Sequence, residues 1–211
     1  MHKSYSGNGD EGYVMTNREF DSLATEMFGI ALIPLGFSSM GSERCTFYRR
    51  AGNDVYHFIR PDIGSRGTWY DVRVFPHSPK ICPLFERRFP DDLGVPTDRF
   101  SFLSEQEIGI TQSQFNCKDD DNFRRRFTAT VGPALLRVAI PYLDRFQAVA
   151  DIIPAIRHPS FLPFALHHVG RHDEAFAALR RERDRLRSLN SSTKEVVMLL
   201  EEVERLLQYQ A

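Results

Sequence analysis

A change of hydrophobic period partway along the chain constrains this sequence more than any other feature. Within Cys45–Phe75 apolar residues tend to recur at every second position, whereas on both sides of that span they recur at three- and four-residue steps. Side chains alternate across a strand and line one face of a helix every three to four residues, so the order is helix, strands, helices. Strands grouped together, with helices before and after, predict an α+β fold. The expected architecture is an N-terminal helix packed on an antiparallel sheet of about four or five strands, followed by a C-terminal helical extension. The organisation expected is a flexible lead-in over 1–15, an α+β domain over 16–143, and a helical extension over 144–211 packed on the same domain.

The boundaries follow from local chemistry. Thr16-Asn-Arg-Glu19 is a capping box, in which the Thr hydroxyl and the Glu carboxylate satisfy backbone donors at a helix start. Behind it Phe20, Leu23, Ala24, Met27, Phe28 and Ala31 form one apolar stripe, and Pro34 with Gly36 ends it. Cys45–Arg50 and Val55–Arg60 flank the turn cluster Ala51-Gly-Asn-Asp54 as a hairpin, and Pro61 to Gly67 reads as a second turn. Next, Trp69–Phe75 alternates Tyr70, Val72 and Val74 against Trp69, Asp71, Arg73 and Phe75. The first set is expected to face the core. Its opposite carries two aromatic rings and a charge pair, which is unusual for a surface that meets only water.

Residues 76–104 contain Pro76, Pro79, Pro83, Pro90 and Pro96 and read as a long covering loop. Gln106–Thr111 is a further strand candidate. Asp119-Asp-Asp121 then starts a helix, because acidic groups favour the positive end of the helix dipole. Phe123, Phe127, Val131, Leu135 and Val138 keep helical spacing, with interruptions expected at Gly132-Pro133 and at Pro141. Shorter helices are expected around 144–156 and 159–169. Gly170 separates the latter from another helix carrying Phe176, Leu179, Leu186 and Leu189. Val196, Leu199, Leu200, Val203, Leu206 and Leu207 stripe the last segment, 193–210, which packs on this chain or on a partner.

Composition removes several function classes. With 27 basic and 28 acidic side chains the formal net charge is −1, and the basic excess expected of a nucleic-acid-binding domain is missing. Arg124-Arg-Arg126 follows the acidic triplet Asp119–Asp121 after two residues, and Glu182 and Asp184 interleave the run Arg180–Arg187, a pattern of solvated faces with local ion pairs. The longest apolar stretch, Ile30–Leu35, is far short of the roughly 20 residues that cross a bilayer. The first fifteen residues lack the apolar region of a secretory signal, and the cysteines at 45, 82 and 117 form no C-x-x-C pair. A cytoplasmic location with reduced thiols is the expectation.

No motif for nucleotide, dinucleotide or α/β-hydrolase chemistry occurs. His167, His168 and His172, with Asp173 and Glu174, are the densest group of ligand-type side chains. Gly170 breaks the helix that would align the imidazoles, so no metal is assigned. Asp91-Asp92 and Asp119–Asp121 lack the spacing of a calcium loop. Catalytic, cofactor and metal residues are therefore all set at none.

Phe20, Leu32, Pro34-Leu-Gly-Phe37, Phe47-Tyr-Arg49 and Trp69-Tyr-Asp-Val-Arg-Val74 together resemble a bacterial family of uncharacterised α+β domains. That pattern is a helix, a PLGF-like turn and antiparallel strands with an aromatic segment. Some members lie beside polymorphic toxin genes, so the resemblance implies an immunity role. It covers the first third to half of the chain, and the helices from about 144 onward depart from the shortest members.

The expected function is accordingly a non-catalytic, cytosolic protein-binding protein, an immunity protein that occludes a cognate toxin. Trp69, Asp71, Arg73 and Phe75 are the partner-binding candidates, since Trp, Phe and Arg dominate interface energies. Two alternatives stand beside it. One is a small enzyme using His57, His77 or the 167–174 cluster. The other is a scaffolding module whose C-terminal helix pairs with a second copy.

Overall fold

The computed structural model describes residues 15–40, 45–64, 67–81, 100–101, 115–117, 119–156, 160–189 and 191–208. Helix α1 spans Asn17–Leu32 and begins with the expected capping box: Glu19 Oε2 accepts from Thr16 N at 2.9 Å, and Thr16 Oγ1 accepts from Glu19 N at 3.3 Å. Its end is a short 3₁₀ turn, Ile33–Leu35, closed by Gly36 at φ +83°. Met15, placed in the lead-in by its sequence, is buried and belongs to the core.

Six strands form one antiparallel sheet among the described residues: β1 (Ser38–Ser39), β2 (Phe47–Arg50), β3 (Tyr56–Ile63), β4 (Trp69–His77), β5 (Phe100–Ser101) and β6 (Phe115–Asn116). Strands β1 to β4 pair in sequence order, and the two-residue strands β5 and β6 both lie on the far edge of β4. The N-terminal helix, antiparallel sheet and following helices make the fold α+β.

Two strand boundaries differ from expectation. Strand β3 runs on through Pro61, Asp62 and Ile63 rather than turning at Pro61. Pro61 lies past Ile59, the last β3 residue paired with β2, where a missing N–H breaks no bond to β2. Strand β4 likewise continues through Pro76 and His77, so the region beyond it begins at Ser78. The Gln106–Thr111 strand candidate lies outside the described residues.

One face of the sheet carries the main core. Phe47, Ile59, Tyr70, Val72 and Val74 are buried there against Phe20, Leu23, Phe28 and Leu32 of α1. Helix α2, covering 120–143, adds Phe123, Phe127, Val131 and Leu135. The rings interlock: Tyr70 lies 5.3 Å from Phe20 and 5.0 Å from Phe123, and Phe28 lies 4.9 Å from Phe127. Removing one such ring costs about 3–5 kcal/mol.

Helix α2 starts as expected, with Asp119 accepting from Asn122 N at 2.7 Å. It then runs through both prolines instead of breaking at them. A π-helical turn, Phe127–Val131, precedes Pro133, and a second, Leu135–Ala139, precedes Pro141. The wider turn accommodates the proline ring and its missing donor, so the helix continues.

Beyond α2 come α3 (Val149–Ile152), α4 (Leu162–His168), α5 (His172–Ser188) and α6 (Lys194–Gln208). None of the described helices is long and apolar enough to cross a membrane. The β2–β3 hairpin grips this region. Val55 at its tip joins a buried cluster with Ile81, Phe146, Val149, Ile152, Phe161 and Ala165. Gly52 fits so closely that an added Cβ would stand 2.1 Å from the Gln147 carbonyl oxygen. Gly52→Ala must push two backbones apart, and destabilisation of about 2 kcal/mol is expected. For a chain of this length that is a Tm lower by about 4–8 °C, measured by calorimetry.

Candidate functional site

Alternation along β3 and β4 sends every second residue to the face opposite the α1–α2 core. Trp69, Asp71, Arg73, Phe75 and His77 occupy this second face on β4, opposite Asn116, Asp62, Arg60, Phe58 and Tyr56 of the neighbouring strands. Three zones result. At one end Phe58 stacks on Phe75 at 5.3 Å and on Tyr48 at 6.2 Å, and His77 meets Phe58 edge-on. In the middle lie the charges. At the other end Trp69 is half-buried.

The charged zone is built from like pairs facing each other across the ladder, Arg60 opposite Arg73 and Asp62 opposite Asp71. Like charges directly opposed repel. One diagonal and two same-strand contacts resolve the conflict: Asp62 Oδ2 lies 3.0 Å diagonally from Arg73 Nε and accepts from Arg60 Nε at 3.1 Å along β3, while Asp71 Oδ1 is 3.6 Å from Arg73 Nε along β4. Arg60 is nearly buried, whereas the Arg73 side chain keeps 31% of its exposure. Asp71 is the least satisfied member. Burial pushes its carboxyl above the ordinary aspartate range, Arg73 opposes that shift and Asp62 adds to it. Its Oδ1 is buried without a hydrogen-bond partner.

Trp69 owes its position to a glycine. An added Cβ at Gly64 would fall 2.3 Å from the indole, and Gly64 N donates to the Trp69 carbonyl at 2.8 Å. The ring therefore lies against bare backbone at the end of the hairpin.

Three of the four sequence candidates, Trp69, Asp71 and Arg73, thus share one partly open patch, and Phe75 anchors its buried end at 1% exposure. Arg60 and Asp62 belong with them. Arg60 ended the expected strand, while reading Pro61 to Gly67 as a turn hid Asp62; the alternation Arg60, Asp62 against Ile59, Pro61 and Ile63 was the available signal.

Among the described residues the histidines lie in three separate places. His57 is fully buried, its Nδ1 accepting from Arg49 Nε at 3.2 Å and its Nε2 lying 2.8 Å from the Phe146 carbonyl oxygen. Both ring nitrogens are occupied. His77 is buried, which lowers its pKa to about 4. His167 and His172 meet at 5.1 Å across the α4–α5 corner, where Gly170 at φ +80° separates the helices. Burial, then His172, Arg205 and His168, hold His167 below the ordinary histidine range. His168 Nε2 lies 3.7 Å from Asp54 instead of joining the other imidazoles. Among the described residues no three ligand-type side chains converge to hold a metal ion.

Other features are also accounted for within the chain. Burial raises the Cys45 thiol to about 12 and the Cys117 thiol to about 11, far from nucleophilic thiolates. A groove of about 370 Å³ is lined by Arg18, Ser22, Glu26, Asp120 and Arg124. Arg124 there donates to both Glu26 oxygens, at 2.6 and 2.7 Å. The α6 stripe packs inside the molecule, Val203 and Leu206 being buried with Phe164, Leu179 and Leu186.

No protein-family model matches this chain, and neither a curated protein nor a solved structure is similar to it.

A carboxylate whose pKa is raised on folding costs stability where it is ionised. The penalty is absent at low pH and grows as pH rises past the ordinary aspartate value toward the raised one. Asp71→Asn is therefore expected to raise Tm at pH 7, with the gain shrinking as pH falls to about 4. Parallel thermal melts of both proteins from pH 4 to 8 measure this.

Proposed function

We propose that this chain is a non-catalytic protein-binding protein, of the immunity type, whose partner docks on the second face of the sheet. The observation that carries the reading is the patch of Trp69, Asp71 and Arg73, aligned by one strand and braced by Asp62 and Arg60. Tryptophan and arginine contribute most to interface energies when they are held in place before binding. Here the strand, the Gly64 contact and the Asp62 bridges hold them, so little side-chain freedom is lost on association.

Its charge pattern supports a protein partner over a nucleic acid. Each arginine is accompanied by a carboxylate, leaving no net basic surface for a phosphate backbone. The resemblance of the helix, PLGF turn and strands to toxin-linked domains supplies the partner class, a bacterial toxin in the same cell.

Co-expression with toxin domains encoded beside its gene tests the reading. Restored growth and a complex that survives purification are expected. Trp69→Ala combined with Arg73→Glu should weaken the complex at least 100-fold, the sum of two anchor losses of about 1.5–2 kcal/mol each. Circular dichroism of the variant must match the unmodified chain. Neither rescue nor complex, or full binding by the folded double variant, contradicts the proposal.

A further inference from the structure

On the core side of the β2–β3 hairpin lies a device unrelated to the partner patch. Arg49 on β2 reaches three places at once. Its Nε donates to His57 Nδ1 at 3.2 Å, its Nη1 donates to the Leu35 carbonyl at 3.4 Å, and its Nη2 pairs with Asp144 just past α2. The guanidinium also lies over the Phe37 ring, 4.8 Å from its centre. One side chain thus ties β2 to the turn after α1 and to the end of α2.

This arrangement exists only while His57 is neutral. An imidazole accepting at Nδ1 carries its proton on Nε2, which here donates to the Phe146 carbonyl. A second proton on Nδ1 would set two N–H donors and two cations 3.2 Å apart in a buried site. The charged groups facing His57 are Arg49 from β2 and Asp144 beyond α2; its neighbour on β4 is the uncharged Pro76.

We infer that His57 and Arg49 form a proton-operated latch: protonation of His57 expels Arg49, which releases the 35–37 turn and the 144–146 segment while the α1–sheet–α2 core remains folded. Asp144, freed from Arg49, is then available to the imidazolium, and Nε2–H keeps its bond to Phe146. Burial, and secondarily Arg49, hold His57 below the ordinary histidine range; the Phe146 carbonyl and Asp144 act the other way. The latch is therefore fully closed above a pH of about 6.5 and opens as pH falls through the depressed value.

Backbone amides that report the opening are already hydrogen-bonded: Gly36 to Ile33, Phe37 to Leu32, Asp144 to Ile140 and Phe146 to Leu143. Hydrogen exchange on the full chain between pH 7.5 and 4.5, normalised to intrinsic rates, tests the inference. Protection at these four amides is expected to fall by up to about tenfold per pH unit as pH drops from about 6.5 toward the depressed midpoint, and to level off below it, while Val72 and Val74 keep theirs. Arg49→Leu removes the expelled cation and should raise the His57 midpoint, read from its ring resonances, by about one pH unit. Arg49→Lys, which keeps the charge, serves where the leucine variant does not fold, and should leave that midpoint low. Loss of protection only together with Val72 and Val74 overturns the latch, as does a midpoint that Arg49→Leu leaves unmoved.

Discussion

The structure depends on one aromatic lock. Tyr70 stands where three layers meet, with Phe20 of α1 and Phe123 of α2 both within 5.3 Å of its ring. Phe28 and Phe127 repeat the contact farther along the same two helices. Dense packing of this kind tolerates neither a void nor a slip, because a one-residue shift of β4 would turn Tyr70, Val72 and Val74 out of the core. Locking these residues inward places Trp69, Asp71, Arg73 and Phe75 on the other face. The candidate site is a geometrical consequence of the core.

The same lock explains which parts of the fold were legible in the sequence. Strong periodicity and local caps marked α1, the β2–β3 hairpin, the inward set of β4 and the start at Asp119, since each arises within a few residues. Proline was the main source of misreading. Pro61 and Pro76 lie within strands, and Pro133 and Pro141 lie within α2. In each case tertiary packing outweighs the local preference. Along α2, π-helical turns absorb the distortion, so that Phe123, Val131, Leu135 and Leu143 all reach the core. Misplacing Pro61 also put Asp62 in a turn, so that the bridge it makes to Arg73 of the neighbouring strand was not expected. Contacts that join distant segments, such as His57 with Phe146 or Arg49 with Asp144, leave no mark in sequence spacing.

On the second face the opposite charges balance within the patch itself. Two arginines and two aspartates confront like neighbours across the ladder and are reconciled through Asp62, which bridges to Arg60 along β3 and diagonally to Arg73 on β4. Such a patch offers little long-range attraction, but it presents a braced guanidinium and an indole side by side. It suits a partner recognised by shape and a few strong anchors rather than by bulk charge. The neutral His57 and its arginine lie on the core side of the same sheet, so the latch and the patch are separable by mutation.

Trp69 is the only tryptophan in the chain, which makes its emission a direct report on the proposed interface. The most direct measurement is a fluorescence titration with the co-expressed partner, followed by acrylamide quenching of the complex. If the second face is the docking surface, the emission shifts to shorter wavelength and quenching falls at least threefold, a sign of near-complete loss of solvent contact at an interface centre. A complex that forms while Trp69 keeps its free-chain emission and quenching would contradict the account.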